Sequence, residues 1–304
     1  MSMMRITQRL MTDRVMLNLN RHTQNLLDVQ EKLSTGRRIN SPSDDPIGVR
    51  RAINTRTIIQ KSEQYSANIK MMKPQMSETT SQIQTILDNV GRAYELTLQA
   101  ANSVYSQTEQ DNLAEEINQV LESVLERANH RTNDRYIFAG TKTRTEPFEA
   151  IRNANGEIEQ VVYRGNSEYI NLAVSDTSKV AINEPGDRIL QSAEADVFQT
   201  LIDIRDNMRA MDVDELQERL GEIETIQEQM LRGLARVGAA QNRIFRSEDD
   251  TEDYILANQI LLSDTLDADF AETIIDLNVR QNAYQAALNA AGRTLQPSLL
   301  DFVR

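Results

Sequence analysis

Both ends of this chain carry the same apolar rhythm. Val15, Leu19, His22, Leu26, Val29 and Leu33 follow a 4-3-4-3-4 spacing, and so do Leu277, Gln281, Tyr284, Leu288, Ala291 and Leu295. That rhythm is a coiled-coil seam: it places each residue of the set on one narrow stripe of a helix. Such a stripe cannot be buried by its own helix, so each end needs a partner. The simplest partner for one end is the other, running antiparallel. Charge agrees, because residues 1–40 carry a net +4, residues 262–304 a net −3, and the middle −14. Opposite signs favour association of the two ends if they meet.

Between the ends the sequence reads mostly as helix. Residues 6–35 are predicted helical and closed by Gly36, after which Pro42 and Pro46 forbid continuation. Residues 47–133 are helix-rich, with breaks expected at Pro74 and near Ser106–Gln107, where Thr108 and Asp111 suggest a new cap. The composition changes around residue 139. Four of the 11 glycines and two of the six prolines lie in 140–186. Asn155–Gly156 and Gly165–Asn166 read as turns, and Ile170, Leu172 and Val174 alternate with polar residues. A small β insert is expected there. Helical periodicity returns from Asp187, with no proline before Pro297.

The expected fold is therefore mainly α: a long antiparallel helical bundle with an N- and C-terminal coiled-coil pair and a small central β insert. The expected divisions are 1–44 with 262–304 for the terminal pair, 45–138 with 187–261 for a helical rod, and 139–186 for the insert. A 5% aromatic content without Trp fits helices packed by aliphatic side chains.

Little in the chain suggests chemistry. A net charge of −13 argues against nucleic acid as a partner. There is no cysteine, hence no thiolate nucleophile or disulfide. No apolar run is long enough to span a bilayer, and no cleaved secretory signal is visible at the start. No nucleotide-binding loop or H-E-x-x-H motif occurs. His22 reads as a polar member of a seam, and His130 as a capping or solvent-facing residue. The acidic runs 247–253 and 263–272 lack the spacing of a calcium loop and read as solvated helix starts. The arginines of 127–152 form no phosphate cradle. Catalytic, cofactor and metal residues are all expected to be absent.

One cluster stands out, "RRINSPSDDPIG" at 37–48. Arg37, Arg38, Ile39, Asn40, Asp44 and Asp45 could mark a reactive loop. The favoured reading is a joint in which an aspartate caps the following helix and pairs with an arginine. Here the sequence resembles a known family. "LSTGRRINSPSDDPIG" (33–48) and "DADFAETIIDLNVRQNAYQAALNAAGRTLQPSLLDFVR" (267–304) resemble the paired end signatures of bacterial flagellins and their junction relatives. "MRITQRLMTDRVMLNLN" (4–20) and "NDRYIFAGTKTRTEPF" (133–148) look more like the junction branch than filament flagellin.

The resemblance implies a nonenzymatic axial protein of the bacterial flagellum, exported unfolded and assembled as a ring between hook and filament. It implies as partners further copies of the chain, a neighbouring hook-associated junction protein, flagellin subunits and an export chaperone. It makes 37–48 the joint between an inner coiled coil and an outer helical domain, with the β domain outermost. It places Leu19, Leu26, Val29, Leu33, Leu277, Tyr284, Leu288, Leu295, Leu299, Leu300 and Phe302 in an inner-tube seam. Three other readings compete: a filament subunit, a soluble ligand-binding or enzymatic helical protein, and a membrane-active amphipathic protein. The last has only a narrow apolar stripe to offer lipid.

Overall fold

A computed structural model describes residues 2–102 and 105–295. The chain forms helices α1 (Ser2–Thr35), α2 (Pro46–Asn102) and α3 (Gln107–Ala128). Six short strands follow: β1 (Arg131–Thr132), β2 (Arg135–Tyr136), β3 (Phe148–Arg152), β4 (Ile158–Tyr163), β5 (Asn171–Ala173) and β6 (Lys179–Ala181). Then come α4 (Gly186–Ile189), α5 (Val197–Ala210), α6 (Val213–Leu266) and α7 (Phe270–Leu295). The fold is mainly helical with a small β region, as the periodicities require.

Two compact units divide the chain. One holds residues 62–253 and the other 1–61 with 254–304. In the 62–253 unit, α3 buries Leu113, Ile117, Val120, Leu121, Val124 and Leu125, the 3-4 stripe of an amphipathic helix. α5 turns Phe198, Leu201, Ile202 and Ile204 into the same core, together with Ile83, Ile86 and Leu96 of α2 and Ile223 and Ile226 of α6. Polar ties cross between the helices at their edges. Asn89 donates to Ser123 at 3.0 Å, and Gln241 to Thr80 at 3.0 Å.

Several threonines in the helices return their hydroxyls to the carbonyl four residues earlier. Thr79, Thr80, Thr85 and Thr97 do so along α2 at 2.7–3.1 Å. Each hydroxyl proton is thus placed locally, and of the four only Thr80 also accepts from a distant side chain, that of Gln241.

Three departures from the sequence reading concern the helices. Pro74 does not interrupt α2, which runs through it. Its ring lies on the exposed side, while Met72, Met76 and Ile83 keep the opposite side buried. α3 is capped at Ser106 and Glu109 rather than Thr108 and Asp111. The Glu109 carboxylate accepts from the Ser106 amide at 2.8 Å and hydroxyl at 2.7 Å, which holds its pKa below the ordinary carboxylate value. The acidic run 247–253 lies inside α6, not at a helix start. Two of its acids are used, with Glu248 on Lys73 at 2.6 Å and Glu252 on Lys70 at 3.0 Å.

The β region is three separate antiparallel hairpins. β3 and β4 pair Phe148 with Tyr163 and Ala150 with Val161. The intervening turn uses Asn153, whose side-chain oxygen accepts from the amides of Asn155 at 2.9 Å and Glu157 at 3.0 Å. Gly156 completes the turn at φ +86°, a conformation glycine adopts without strain. Phe148 is fully buried against Tyr163 and Phe198, with ring centroids 5.1 and 5.0 Å apart. The β1–β2 hairpin precedes the composition change at 139 and turns on Asn133 and Asp134, both left-handed at φ 51° and 60°.

His130 faces a partner rather than open solvent, its Nε2 lying 3.1 Å from Glu78. Buried Arg205 donates to the Ile158 carbonyl at 2.8 Å, and Arg209 closes on Glu157 at 2.6 Å. Together they tie the β3–β4 hairpin to α5.

Candidate functional site

In the unit formed by 1–61 and 254–304, α1 and α7 pack along each other. Their directions oppose, because the end of α1 is stitched to the start of α7. Gly36 takes φ +69° and its carbonyl accepts from Ala268 N at 2.9 Å. Arg37 and Asp267 form an antiparallel bridge, and Arg38 N donates to Leu266 O at 2.7 Å. Asp269 caps α7 by accepting from Ala271 N at 2.8 Å and Glu272 N at 3.2 Å. The 263–272 run therefore does contain a helix start.

The segment 37–48 is a closely bonded turn. Asp44 Oδ2 accepts from the amides of Asn40 at 3.1 Å and Ser41 at 2.8 Å. Asp45 caps α2, its Oδ1 accepting from Gly48 N at 2.8 Å, and Pro46 takes the first helical position, where its missing N–H costs nothing. A Cβ on Gly48 would lie 2.5 Å from Asp45 Oδ2 and 2.7 Å from Ile39 Cδ1, so a larger residue there would displace the capping carboxylate and the Ile39 side chain. Arg38 donates to the Thr265 carbonyl at 2.9 Å and sits 4.0 Å from Asp45. Asn40 donates to Arg37 O at 3.3 Å. Ile39 is buried with Ala52 and Leu266. Arg38, Asp44 and Asp45 are thus engaged within the chain. The Arg37 guanidinium is exposed and has no partner among the described residues.

The seam residues fall on the inner side of the pair. Val29 is buried, and Leu19, Leu26, Leu33, Leu277 and Tyr284 are half-buried, as are His22 and Gln281. Leu288 is placed differently, 42% exposed, and Ala287 and Ala291 are covered more fully than it is. Leu299, Leu300, Phe302 and the side chain of Leu295 lie outside the described residues.

A second apolar set was not singled out from the sequence. Leu10 and Leu17 of α1 are 55% and 67% exposed, and Ile275 and Val279 of α7 are 65% and 58% exposed. Ile47 of α2, and Leu256 and Ile260 of α6, are also exposed. The available signal was apolar residues lying off the 4-3 stripe of a helix already supplied with a seam. Fully burying a side chain of this kind is worth roughly 1.5–3 kcal/mol. Such a set in one unit marks a protein–protein surface more readily than a ligand pocket. Among the described residues no three His, Asp or Glu side chains gather as a metal site, and no helix is long and apolar enough to cross a membrane.

Much of this fold occurs in solved proteins. The flagellar junction protein FlgL from Legionella pneumophila superposes with a TM-score of 0.59 at 16% identity, over 71% of this chain and 99% of that one. FlgL from Bacillus cereus does so with a TM-score of 0.57 at 22% identity, over 69% of this chain and 99% of that one. This chain has the flagellin-type fold. Residues 6–143 match the bacterial flagellin N-terminal helical region, so the flagellin-type signature extends from α1 through α3 and the first hairpin. By sequence the chain is a relative of flagellar hook-associated protein 3 of Escherichia coli, 28% identical over 190 residues. That match takes in 62% of this chain and 57% of the relative's length.

Proposed function

We propose that this chain is a structural axial protein of the bacterial flagellum that joins hook to filament as a ring of copies, without enzymatic activity. The observation that carries this reading is the α1–α7 pair, apolar on its seam and apolar again on the sides its own chain leaves open. Helices of that kind find their remaining contacts in other copies. The similarity to hook-associated protein 3 supports the junction over the filament.

In this reading residues 1–44 and 262–304 build the inner tube, 45–138 and 187–261 a helical rod, and 139–186 an outermost β domain. The 37–48 turn is the joint, with Arg37 its available charge. The seam residues, with Leu295, Leu299, Leu300 and Phe302, line the inner tube. The partners are neighbouring copies, an adjoining hook-associated protein, flagellin subunits and an export chaperone that delivers the chain unfolded.

Immunogold labelling of isolated hook–filament structures tests the reading. Label confined to the junction is the expected result. Label along the filament, with polymerisation of the purified chain alone, would assign it to the filament. The double variant Ile275→Asp, Val279→Asp should leave the melting of the isolated chain nearly unchanged and release flagellin into the medium. Intact filaments on cells carrying that variant would remove the open face of α7 from the interface.

A further inference from the structure

Against a net charge of −13, one exposed part of the 62–253 unit is basic. Arg131, Arg135, Lys142 and Arg144 lie within 14 residues on the β1–β2 hairpin and the turn after it, and all four are exposed. Arg131 stacks 5.0 Å from the centre of the Tyr136 ring. Lys142 reaches only the Gly165 carbonyl, at 3.4 Å. Arg135 and Arg144 have no side-chain partner among the described residues. Asp134 pairs with Arg131 at 3.5 Å, and Glu146 and Glu168 accept from Asn129 at 3.0 Å and Thr141 at 3.1 Å rather than from a cation, so Arg135, Lys142 and Arg144 carry the patch.

The backbone under these cations is fixed. Tyr136 N donates to Thr143 O at 2.8 Å, which joins hairpin to turn. Gly140 takes φ +65°, and a Cβ there would fall 2.1 Å from the Asn166 carbonyl oxygen. Thr141 N donates to the Asn166 side chain at 2.8 Å. Four cations held on such a knuckle lose little freedom on binding, unlike four on a loose loop.

The complementary surface is on the same unit. In the acidic run of α6, Glu248 and Glu252 are taken by Lys73 and Lys70. Asp249, Asp250 and Asp253 are exposed and have no partner among the described residues. Their relation to the knuckle can be read along α2. The knuckle is anchored beside Glu78 through His130, five residues beyond Lys73 and eight beyond Lys70. At a rise of 1.5 Å per residue the two surfaces differ in height by only about 7–12 Å. At 3.6 residues per turn, Glu78 projects about 110° round α2 from the mean direction of Lys70 and Lys73. Basic knuckle and acidic strip therefore share a level but flank α2 on different sides. Subunits set side by side in a ring would bring the knuckle of one to the strip of the next. This is a head-to-tail contact that repeats from copy to copy.

We propose that the Arg131–Arg144 knuckle is a lateral contact for a second copy of this chain, docking on Asp249, Asp250 and Asp253. The inference rests on the ring reading above. Paired charges of this kind orient the approach and reject wrong registers more than they add affinity.

The absence of native cysteine makes the test direct. Flagella are isolated from cells whose only copy carries Arg144→Cys and Asp249→Cys, treated with a short bismaleimide, denatured and resolved by size. A ladder of dimer, trimer and higher bands, absent from either single-cysteine chain, is expected. Adding Arg135→Glu with Lys142→Glu should cut the ladder about ten-fold by placing like charges opposite. Adding Asp250→Lys with Asp253→Lys to that variant should restore much of it. Junctions that form normally without a ladder would overturn the lateral contact and leave the junction reading standing. So would a ladder indifferent to charge reversal. A chain absent from isolated junctions would remove the junction reading and this contact with it.

Discussion

At the residue scale, Glu157 has the most measurable role. Arg209 closes on it at 2.6 Å, and Asn153 donates to it at 3.2 Å. The Arg209 hydrogen bond, then that from Asn153, lowers its pKa from 4.5 to about 2. A carboxylate whose pKa is lower folded than unfolded stabilises the fold fully above the unfolded value. The contribution disappears as pH falls through the folded value. Glu157→Gln should therefore cost about 1–2 kcal/mol at pH 7, after discounting for the partly exposed Arg209. The deficit should shrink below pH 4.5 and vanish near pH 2. Urea unfolding of both chains across that range checks it, and a deficit constant with pH would mean that charge is not the cause. Single residues were unevenly legible in the sequence. Asp45 as a cap could be read because cap, proline and helix are consecutive. Arg205 could not, because its carbonyl partner belongs to Ile158, 47 residues away, and no local pattern announces a partner brought in by folding.

At the element scale, the sequence misplaced what tertiary packing overrides. Pro74 removes the amide that would donate to Lys70 O. It costs roughly 3 kcal/mol against alanine in a helix interior, yet α2 continues because Ile69, Met72, Met76 and Ile83 on its buried side have nowhere better to go. Pro74→Ala should raise stability by about 1–2 kcal/mol, since part of the gain is offset by a freer unfolded chain. A thermal melt of the pair of proteins measures this, and an unchanged or lower Tm would mean that Pro74 is accommodated at no cost. The acidic run in α6 was misread for a related reason. Its helix-start reading assumed unpaired acids seeking a dipole, while Lys70 and Lys73 neutralise two of them from α2. The β1–β2 hairpin escaped notice because two-residue strands carry no alternation to detect. The turn at Asn155–Gly156 was legible from its residue pair, and the alternation at Ile170, Leu172 and Val174 and the 4-3 rhythm of the terminal helices from their period. Leu288 shows the limit, since a heptad counts turns but does not say how far round the helix its partner reaches.

At the scale of the whole molecule, the large apolar core from Ile69 to Ile244 lies wholly within residues 62–253. Among the described residues the other unit has only Ile39, Ala52 and Leu266 buried as a cluster of its own. A fragment of residues 62–253 should melt cooperatively within a few degrees of the full chain. A fragment that is unfolded at 25 °C would show that the terminal unit is needed to complete the core. The threonines of α2 bear on a different property, speed. Hydroxyls that return to a carbonyl four residues back, as those of Thr79, Thr80, Thr85 and Thr97 do, need no long loop to close first. Such short-range closures form early, whereas the packing of α2 on α6 must bring together residues as far apart as Lys73 and Glu248 and is the slower step. A helix of about 20 residues relaxes in 0.1–1 μs, and without cysteine there is no thiol exchange to wait for. A chain emerging in extended form from a narrow conduit would wind its helices turn by turn as it appeared, and only the meeting of α2 and α3 with α5 and α6 would remain to set the pace.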